Sequence, residues 1–570
     1  MTNPILSKQN NNSQFKRETI LISISFVICF LFLWWKSSYG YIFNDEPYIL
    51  TLGDRLVKGD LLLIDEWRPA QMTGYLLYPF IRIYNFFNPS TKGFILVFRH
   101  LYVILWSSAV LFCYFRFKKF AAHRWVAAAA ALYLWLFASL DQMTLSYNFF
   151  SLSGILICSA LWMTSDKSIS YFFIGIFYSI AVLACPYLAF LYFAYVVVYL
   201  LSLLKLSMPG KHSVDNCHTR RFLLISTGIL ISVFLFAAFF FLRGGSIPAA
   251  VKSFPYILSD NEYPAQSLGS RICGYIGVFC VDYRMFIIPS TLLITASLID
   301  RKHQFQYFAA HAIWLLFALL ILFLYYHLKL NYIMVPISLL GFQAMLSDKN
   351  PNHKLQMLFW FGILYSIVLF FSSNLRAMAV AMGLSISGFV SFLLIDSYLC
   401  SISPVQDCHH QNRKNIYMLM FICASQIIVE SGRRYVFYYM DNSIWKLNTE
   451  ITEGPAAGIF TTASRAQEYD EIFHDIQLIP SGSKVLLLSM EPWIYLCNDM
   501  KYATYSSWIS GNADYYLKRL SSYYSIHPEK LPDYIYILQR DYDPAIDNNQ
   551  LFQGLYNRTN IGISIIYSKK

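Results

Sequence analysis

Residues 20–50 read ILISISFVICFLFLWWKSSYGYIFNDEPYIL, an apolar run that breaks into two adjacent carboxylates, Asp45 and Glu46. The apolar part, from about Ile20 to Trp35, has the length and composition of a helix crossing the ~30 Å hydrocarbon core of a bilayer. Ser37 to Phe43 carries the chain out of the membrane, and Asn44-Asp45-Glu46-Pro47-Tyr48-Ile49-Leu50 follows. Pro47 suits the first turn of a new helix, where its missing N–H costs nothing. A second acidic pair, Asp65-Glu66, lies in the same connection. Carboxylates at a membrane edge are ordinary; two pairs, one backed by a helix-starting proline, suggest a built site.

Charged residues make up only 14% of the 570-residue chain and hydrophobic residues 56%, against about 25% charged in a soluble protein. Apolar stretches recur along the first three quarters, so the chain reads as a polytopic α-helical membrane protein with about 13 transmembrane helices. Their approximate positions are 20–36, 94–115, 124–140, 147–163, 169–184, 187–204, 222–242, 286–299, 305–325, 331–346, 355–371, 377–398 and 416–430. The first has no small-residue cleavage site and is read as an anchor.

Positive residues gather on alternate connections. Lys8, Lys16 and Arg17 precede the first span; Arg116, Lys118, Lys119 and Arg124 follow the second; Lys205, Lys211, Arg220 and Arg221, then Arg301 and Lys302, continue the series. The short turns 140–146 and 185–187 carry none. This places the N-terminus in the cytoplasm and the C-terminus outside. The net charge of +11 is then a topology signal with an attraction to membrane lipids, and needs no nucleic-acid partner.

Three segments outside the membrane exceed simple turns: 37–93, 243–285 and 431–570. The first predicts two juxtamembrane helices, each preceded by an acidic pair, with Ile49, Leu50, Leu52, Leu56 and Val57 on the first and aromatic residues on the second. The last predicts a small extracytoplasmic α/β domain, with helices over 463–476 and 515–524 and strands over 484–490, 534–538 and 563–567. The chain thus divides into a transmembrane part, 1–440, and an α/β domain, 441–570.

This layout, with Asp45-Glu46-Pro47-Tyr48 and Leu62-Leu63-Ile64-Asp65-Glu66-Trp67 in the first loop, resembles the GT-C class of integral-membrane glycosyltransferases. Within that class it is most similar to the protein O-mannosyltransferase and bacterial aminoarabinose transferase branch. The resemblance implies a GT-C-like fold in a bacterial cytoplasmic (inner) membrane. It also implies transfer of a sugar from a polyprenyl-phosphate donor to a glycan, lipid or protein acceptor at the outer face.

Such a reaction needs a carboxylate to take the acceptor's proton and cations for the departing phosphate. Neighbouring helical residues point about 100° apart, so Asp45 and Glu46 do not act as one base. The family pattern assigns the base to Asp45 and an orienting role to Glu46; the alternative is that the pair complements the helix dipole. Asp141 occupies the place of the family's second functional acid, in a turn without a local basic partner, or is a solvated turn residue. Asp65 and Glu66 read as a helix cap, with sugar or acceptor contact as the alternative. Asn148 is a candidate sugar contact, or simply part of an interfacial helix start beside Tyr147.

Candidate phosphate cations are Arg271, Arg284, His327, Lys329, Arg376, Arg433 and Arg434, of which Lys329 and Arg376 rank first because topology disfavours positive charge in short external turns. Arginine suits phosphate through its fork of donors; snorkelling to headgroups is the competing role. The acidic pairs offer oxygen ligands to Mg²⁺ or Mn²⁺, but no metal site or required cofactor is read. Among the 11 cysteines, Cys273 and Cys280 are a candidate external pair, and Cys408-His409-His410 has metal-binding residue types without a second half. Other readings are a polymerase or ligase of lipid-linked glycans, a transporter or flippase, and a non-catalytic scaffold. The absence of matched broken helices or repeated halves weighs against transport.

Overall fold

The computed structural model describes residues 4–138, 141–165, 167–206, 216–260, 267–326, 332, 334–402, 410–438 and 440–570. Twelve of the thirteen apolar segments each correspond to one helix, and 377–398 to two, Ala377–Gly383 and Ser385–Ser401, bent by 48°. Among the described residues, eight helices are long and apolar enough to cross a membrane, or up to ten if each of two bent pairs forms one span. The chain is a multi-pass helical membrane protein, with fewer full-length spans among the described residues than the thirteen expected. Arg124–Leu136, Ser168–Ala184 and Met334–Ser347 are apolar but short, with 13, 17 and 14 residues. Helix Arg124–Leu136 packs among Phe94–Phe117, Ser385–Ser401 and His410–Val436, so protein takes the place of lipid around it.

Lipid-facing and protein-facing helices divide by exposure. The first span displays Leu21, Ile24, Val27, Ile28 and Leu31 outward, as a helix bathed in hydrocarbon should. Helices Ser168–Ala184 and Asn216–Leu242 pack backbone to backbone: a Cβ on Gly175 would fall on the Ile225 carbonyl and 3.0 Å from the Gly228 Cα. Small residues allow this approach, and close packing replaces the hydrophobic effect that helices lack inside lipid. The short span expected at 286–299 is the second arm of a pair, Leu268–Asp282 and Arg284–Ile299, bent by 85° beside a π-helical turn at Val278–Asp282. Cys273 and Cys280 on its first arm are both free thiols, so the expected candidate pairing does not form.

In the first loop the acidic residues Asp45 and Glu46 lie inside the first turn of helix Asp45–Val57 rather than before it. Asn44 is the cap, its Oδ1 accepting the Asp45 N–H at 2.7 Å. Gly59, at φ 103°, turns the chain after the helix. A 3₁₀ turn, Pro69–Met72, then leads into helix Thr73–Phe87.

The C-terminal region carries seven strands: β1 (Thr449–Glu450), β2 (Phe460–Thr461), β3 (Lys484–Leu487), β4 (Lys501–Tyr502), β5 (Tyr534–Leu538), β6 (Tyr556–Ile561) and β7 (Ser564–Lys569). β1 and β2 pair antiparallel, and the others form one sheet in the order β4-β3-β5-β7-β6. β3 runs parallel to β4 and β5, while β7 is antiparallel to β5 and β6. Helices Ala463–Ile476 and Ala513–Ile526 complete the fold.

This region is bound tightly to the first loop. Gly40 N–H donates to the Phe460 carbonyl and Phe460 N–H to Ser38, each at 2.8 Å. Arg55 is fully buried between the two parts. Its Nε reaches Asp60 at 2.9 Å, Nη1 reaches Glu66 at 2.8 Å, and Nη2 donates to the Asp65 and Thr504 carbonyls at 2.8 Å. Lys530 adds a second bridge, with Nζ 2.5 Å from Asp60. Removing one member of a buried charged group leaves the others uncompensated, at a cost of about 3–5 kcal/mol. Arg55→Leu is therefore expected to lower the melting temperature of the detergent-solubilised protein and to open residues 441–570 to protease before the membrane helices; an unchanged melt and digest would refute this.

Candidate active site

Three chain segments meet around Asp45. The first is the head of helix Asp45–Val57, the second the turn 141–146, and the third the end of helix His410–Val436. Because successive helical residues diverge by about 100°, Asp45 and Glu46 face different neighbours. Glu46 is buried and gripped by Arg99, with Nε–Oε1 at 2.7 Å and Nη2–Oε2 at 2.5 Å. This two-pronged pairing is the strongest geometry available to a carboxylate and guanidinium. Arg99 also donates from Nη1 to the Ser37 carbonyl at 2.9 Å and covers the Tyr438 ring at 5.2 Å. Glu46 thus ties the helix to the end of the first span and to the second span. Asp45 is half-buried and accepts a hydrogen bond from Gln142 Nε2 at 3.1 Å.

Asp141 is not a solvated turn residue. It is buried and adopts φ 56°, a left-handed conformation that aspartate tolerates better than most residues. Arg433 Nη1 lies 2.6 and 2.5 Å from its two oxygens, and Arg434 Nη1 lies 2.9 Å from Oδ1. The basic partners missing locally come from nearly three hundred residues downstream. Arg433 also holds Glu430, Nε–Oε2 at 3.0 Å and Nη2–Oε1 at 2.7 Å. Burial alone would push the Asp141 carboxyl up, but Arg433 and Arg434 together hold it below its ordinary value. Through this anchor Asp141 fixes Gln142, which touches Asp45.

Arg434 has spare donors. Its Nε and Nη2 are buried without a hydrogen-bond partner among the described residues, and Lys36, also buried, lies within range of its charge. Beside Gln142 is a small cleft lined by Tyr102, Trp106, Phe137, Gln142, Thr144, Ser146, Phe149 and Leu152. Thr144 Oγ1 is buried there without a partner among the described residues. Asn148 is buried in the first turn of the adjoining helix, Tyr147–Thr164.

The remaining expected residues lie elsewhere. Asp65 and Glu66 do not cap the second juxtamembrane helix: neither Arg68 nor Met72, at the cap positions, makes a side-chain capping bond. Asp65 instead accepts the Leu61 N–H at 2.7 Å and faces Lys530 at 3.4 Å, while Glu66 pairs with Arg55. Both belong to the interface with the C-terminal region, where burial raises each carboxyl. Arg376 is exposed on the connection 373–376, and Arg271 reaches the Ser373 carbonyl there at 3.3 Å. Arg284 is exposed. His327 and Lys329 lie outside the described residues.

Arg99, Glu430 and Lys36 were missed as site residues, although a signal was present. Each is a charged residue within or at the end of an apolar helix, a costly placement that implies a partner. Gln142 gave no such sign. The Asp141 anchor is directly testable. A carboxyl held low stabilises the fold above its ordinary value of 3.8 and loses that contribution only as pH falls through the lowered value. Asp141→Asn is expected to cost roughly 3–5 kcal/mol. The melting gap from the wild type should stay constant over about pH 5 to 8 and narrow only in stronger acid.

No protein-family model matches the chain, and no curated protein matches it. A solved structure does: ArnT from Cupriavidus metallidurans bound to undecaprenyl phosphate. The TM-score is 0.51 at 11% sequence identity, and the match covers 96% of this chain and 97% of that one. The architecture, from the first span through the C-terminal sheet, is that of the GT-C fold.

Proposed function

We propose that the protein is a glycosyltransferase that moves a hexosyl or pentosyl group from a polyprenyl-phosphate carrier to a glycan, lipid or protein acceptor. The carrying observation is a contrast among carboxylates. Glu46, Asp141 and Glu430 are buried, whereas Asp45 at the same cluster is half-buried and accepts a hydrogen bond from Gln142 Nε2. A carboxylate that is fixed in place but reachable is what a general base requires. The likeness to ArnT in its undecaprenyl-phosphate complex supports a lipid-linked donor.

In this reading the acceptor oxygen or nitrogen attacks the anomeric carbon while Asp45 takes its proton. The bond between the anomeric carbon and the phosphate oxygen breaks, and polyprenyl phosphate leaves with the electron pair. Glu46 orients the helix head, and Asp141 positions Gln142. The open edge of Arg434, with Lys36 beside it, meets the phosphate charge in a low-dielectric setting where such contacts are strong. The distribution of lysine and arginine supports a site on the outer face of the membrane, and the likeness to ArnT from Cupriavidus metallidurans supports a bacterial cytoplasmic membrane. Asn148 and Thr144 are the polar groups proposed to contact sugar beside the cleft.

Two substitutions test the assignment in membranes supplied with lipid-linked sugar. Asp45→Asn is expected to reduce transfer by about 10²–10⁴-fold, the usual worth of a positioned base, with folding unchanged by thermal melt. Arg434→Gln is expected to lower kcat/KM for the donor by about 10–100-fold, from loss of a charge-assisted contact worth about 1.5–3 kcal/mol. Full transfer by Asp45→Asn would sink the assignment and favour a polymerase or ligase that works without the acidic pair, whereas no transfer by the wild type would favour a transporter or scaffold.

A further inference from the structure

Helix Phe94–Phe117 starts against the C-terminal region, where Gly93 N–H donates to the Gly454 carbonyl at 3.0 Å. Its 24 residues carry the chain about 36 Å at 1.5 Å per residue to the opposite end of the helical bundle. There the connection before helix Arg124–Leu136 presents His123, and helix Ser385–Ser401 presents Asp396 and Cys400. The latter two are four residues apart and therefore share a helix face. Asp396 Oδ2 accepts the His123 backbone N–H at 2.9 Å, and Oδ1 lies 2.7 Å from His123 Nδ1. One donor atom from each of His123, Asp396 and Cys400 lies within 4.8 Å of the others. It is the one group of three or more such side chains with this spacing among the described residues.

We propose that His123, Asp396 and Cys400 form a binding site for a divalent transition-metal ion, with Zn²⁺ the best match. Imidazole nitrogen, carboxylate oxygen and thiolate sulfur are the three donors zinc accepts, at roughly 2.0–2.3 Å from the ion. Tetrahedral placement at those lengths puts donors about 3–4 Å apart, so small side-chain rotations close the group around an ion. Thiolate selects zinc over Mg²⁺ or Ca²⁺. Asp396 is fully buried while His123 is about one-third exposed and Cys400 is exposed. The site therefore has a fixed floor and an open side for entry and for a fourth ligand. The two Asp396 contacts already fasten the connection to the helix, and Cys400 is not needed for that latch. Binding replaces the thiol proton, which passes to solvent, with a sulfur–metal bond. The site is remote from Asp45 and has no part in sugar transfer.

The test uses the full chain in detergent, purified without a polyhistidine tag, loaded with Zn²⁺ and washed against a weak chelator. One zinc per chain is expected by elemental analysis. Cys400→Ser and His123→Gln should each reduce it to background while the protein still elutes as a folded species. Replacing Cys408, His409 and His410 together controls for the cysteine–histidine run that follows helix Ser385–Ser401 in the sequence, of which Cys408 and His409 lie outside the described residues, and should leave zinc in place. With Co²⁺ as probe, a thiolate-to-cobalt charge-transfer band should appear and be lost in Cys400→Ser. Background zinc in the wild type, or unchanged zinc in Cys400→Ser, overturns the proposal.

Discussion

The grip of Arg99 on Glu46 is the interaction on which the rest of the candidate site depends. Both groups are buried at the edge of the helical bundle, where an unpaired charge would be costly and the pair is mutually required. Arg99 belongs to a membrane-spanning helix, Ser37 to the end of the first span, and Glu46 to the loop helix. One guanidinium therefore fixes three elements at once. With Glu46 held inward, the helix's own geometry turns Asp45 to a different side. That rotation sends one member of an adjacent pair into structure and leaves the other reachable.

The same device recurs twice. Arg433 and Arg434 join the last long helix to the turn at Asp141, and Arg55 joins the first loop to the C-terminal region through Asp60 and Glu66. Arginine suits these positions because it stays charged when desolvated and its fork satisfies two oxygens together. Each of these connections spans segments remote in sequence. The helical bundle, the first loop and the C-terminal sheet are consequently not independent layers. Thr504 and Tyr505, just beyond β4, supply carbonyls to Arg55 and to the Trp67 N–H at 2.8 Å. The sheet thus helps hold the loop whose other end carries Asp45.

What the sequence revealed follows from which signals are local. Apolar run length is local, so the helical regions of the bundle were legible, though not the break at Leu384 that divides 377–398 into two helices. Whether a run is a full span depends on whether lipid or protein surrounds it, and the alanine-rich helix 124–136 shows that difference. Strands β3, β5 and β7 bury apolar side chains and announced themselves. β6 reads Tyr-Asn-Arg-Thr-Asn-Ile, has a mostly exposed face, and left no hydrophobic trace. β4 has two residues, too few for any period. Among site residues, Asp45 and Glu46 were legible through Pro47 and the preceding span. The partners of Asp141 were not, because nothing in a short turn specifies an arginine pair almost three hundred residues later.

Charge accounting carries the comparison of Arg433 and Arg434 one step further. Arg433 faces two carboxylates and places every donor nitrogen in a hydrogen bond to them. Arg434 shares Asp141 through Nη1 alone and keeps Nε and Nη2 buried without partners among the described residues. Leaving donors of a buried cation unmet costs free energy in the empty protein. A stable fold has no use for that cost, whereas a site for a doubly charged oxyanion does: the ligand regains the missing hydrogen bonds on arrival. Consecutive arginines on one helix thereby divide the work. The first fixes the turn that positions Gln142 against Asp45, and the second, in the proposed reading, waits for phosphate.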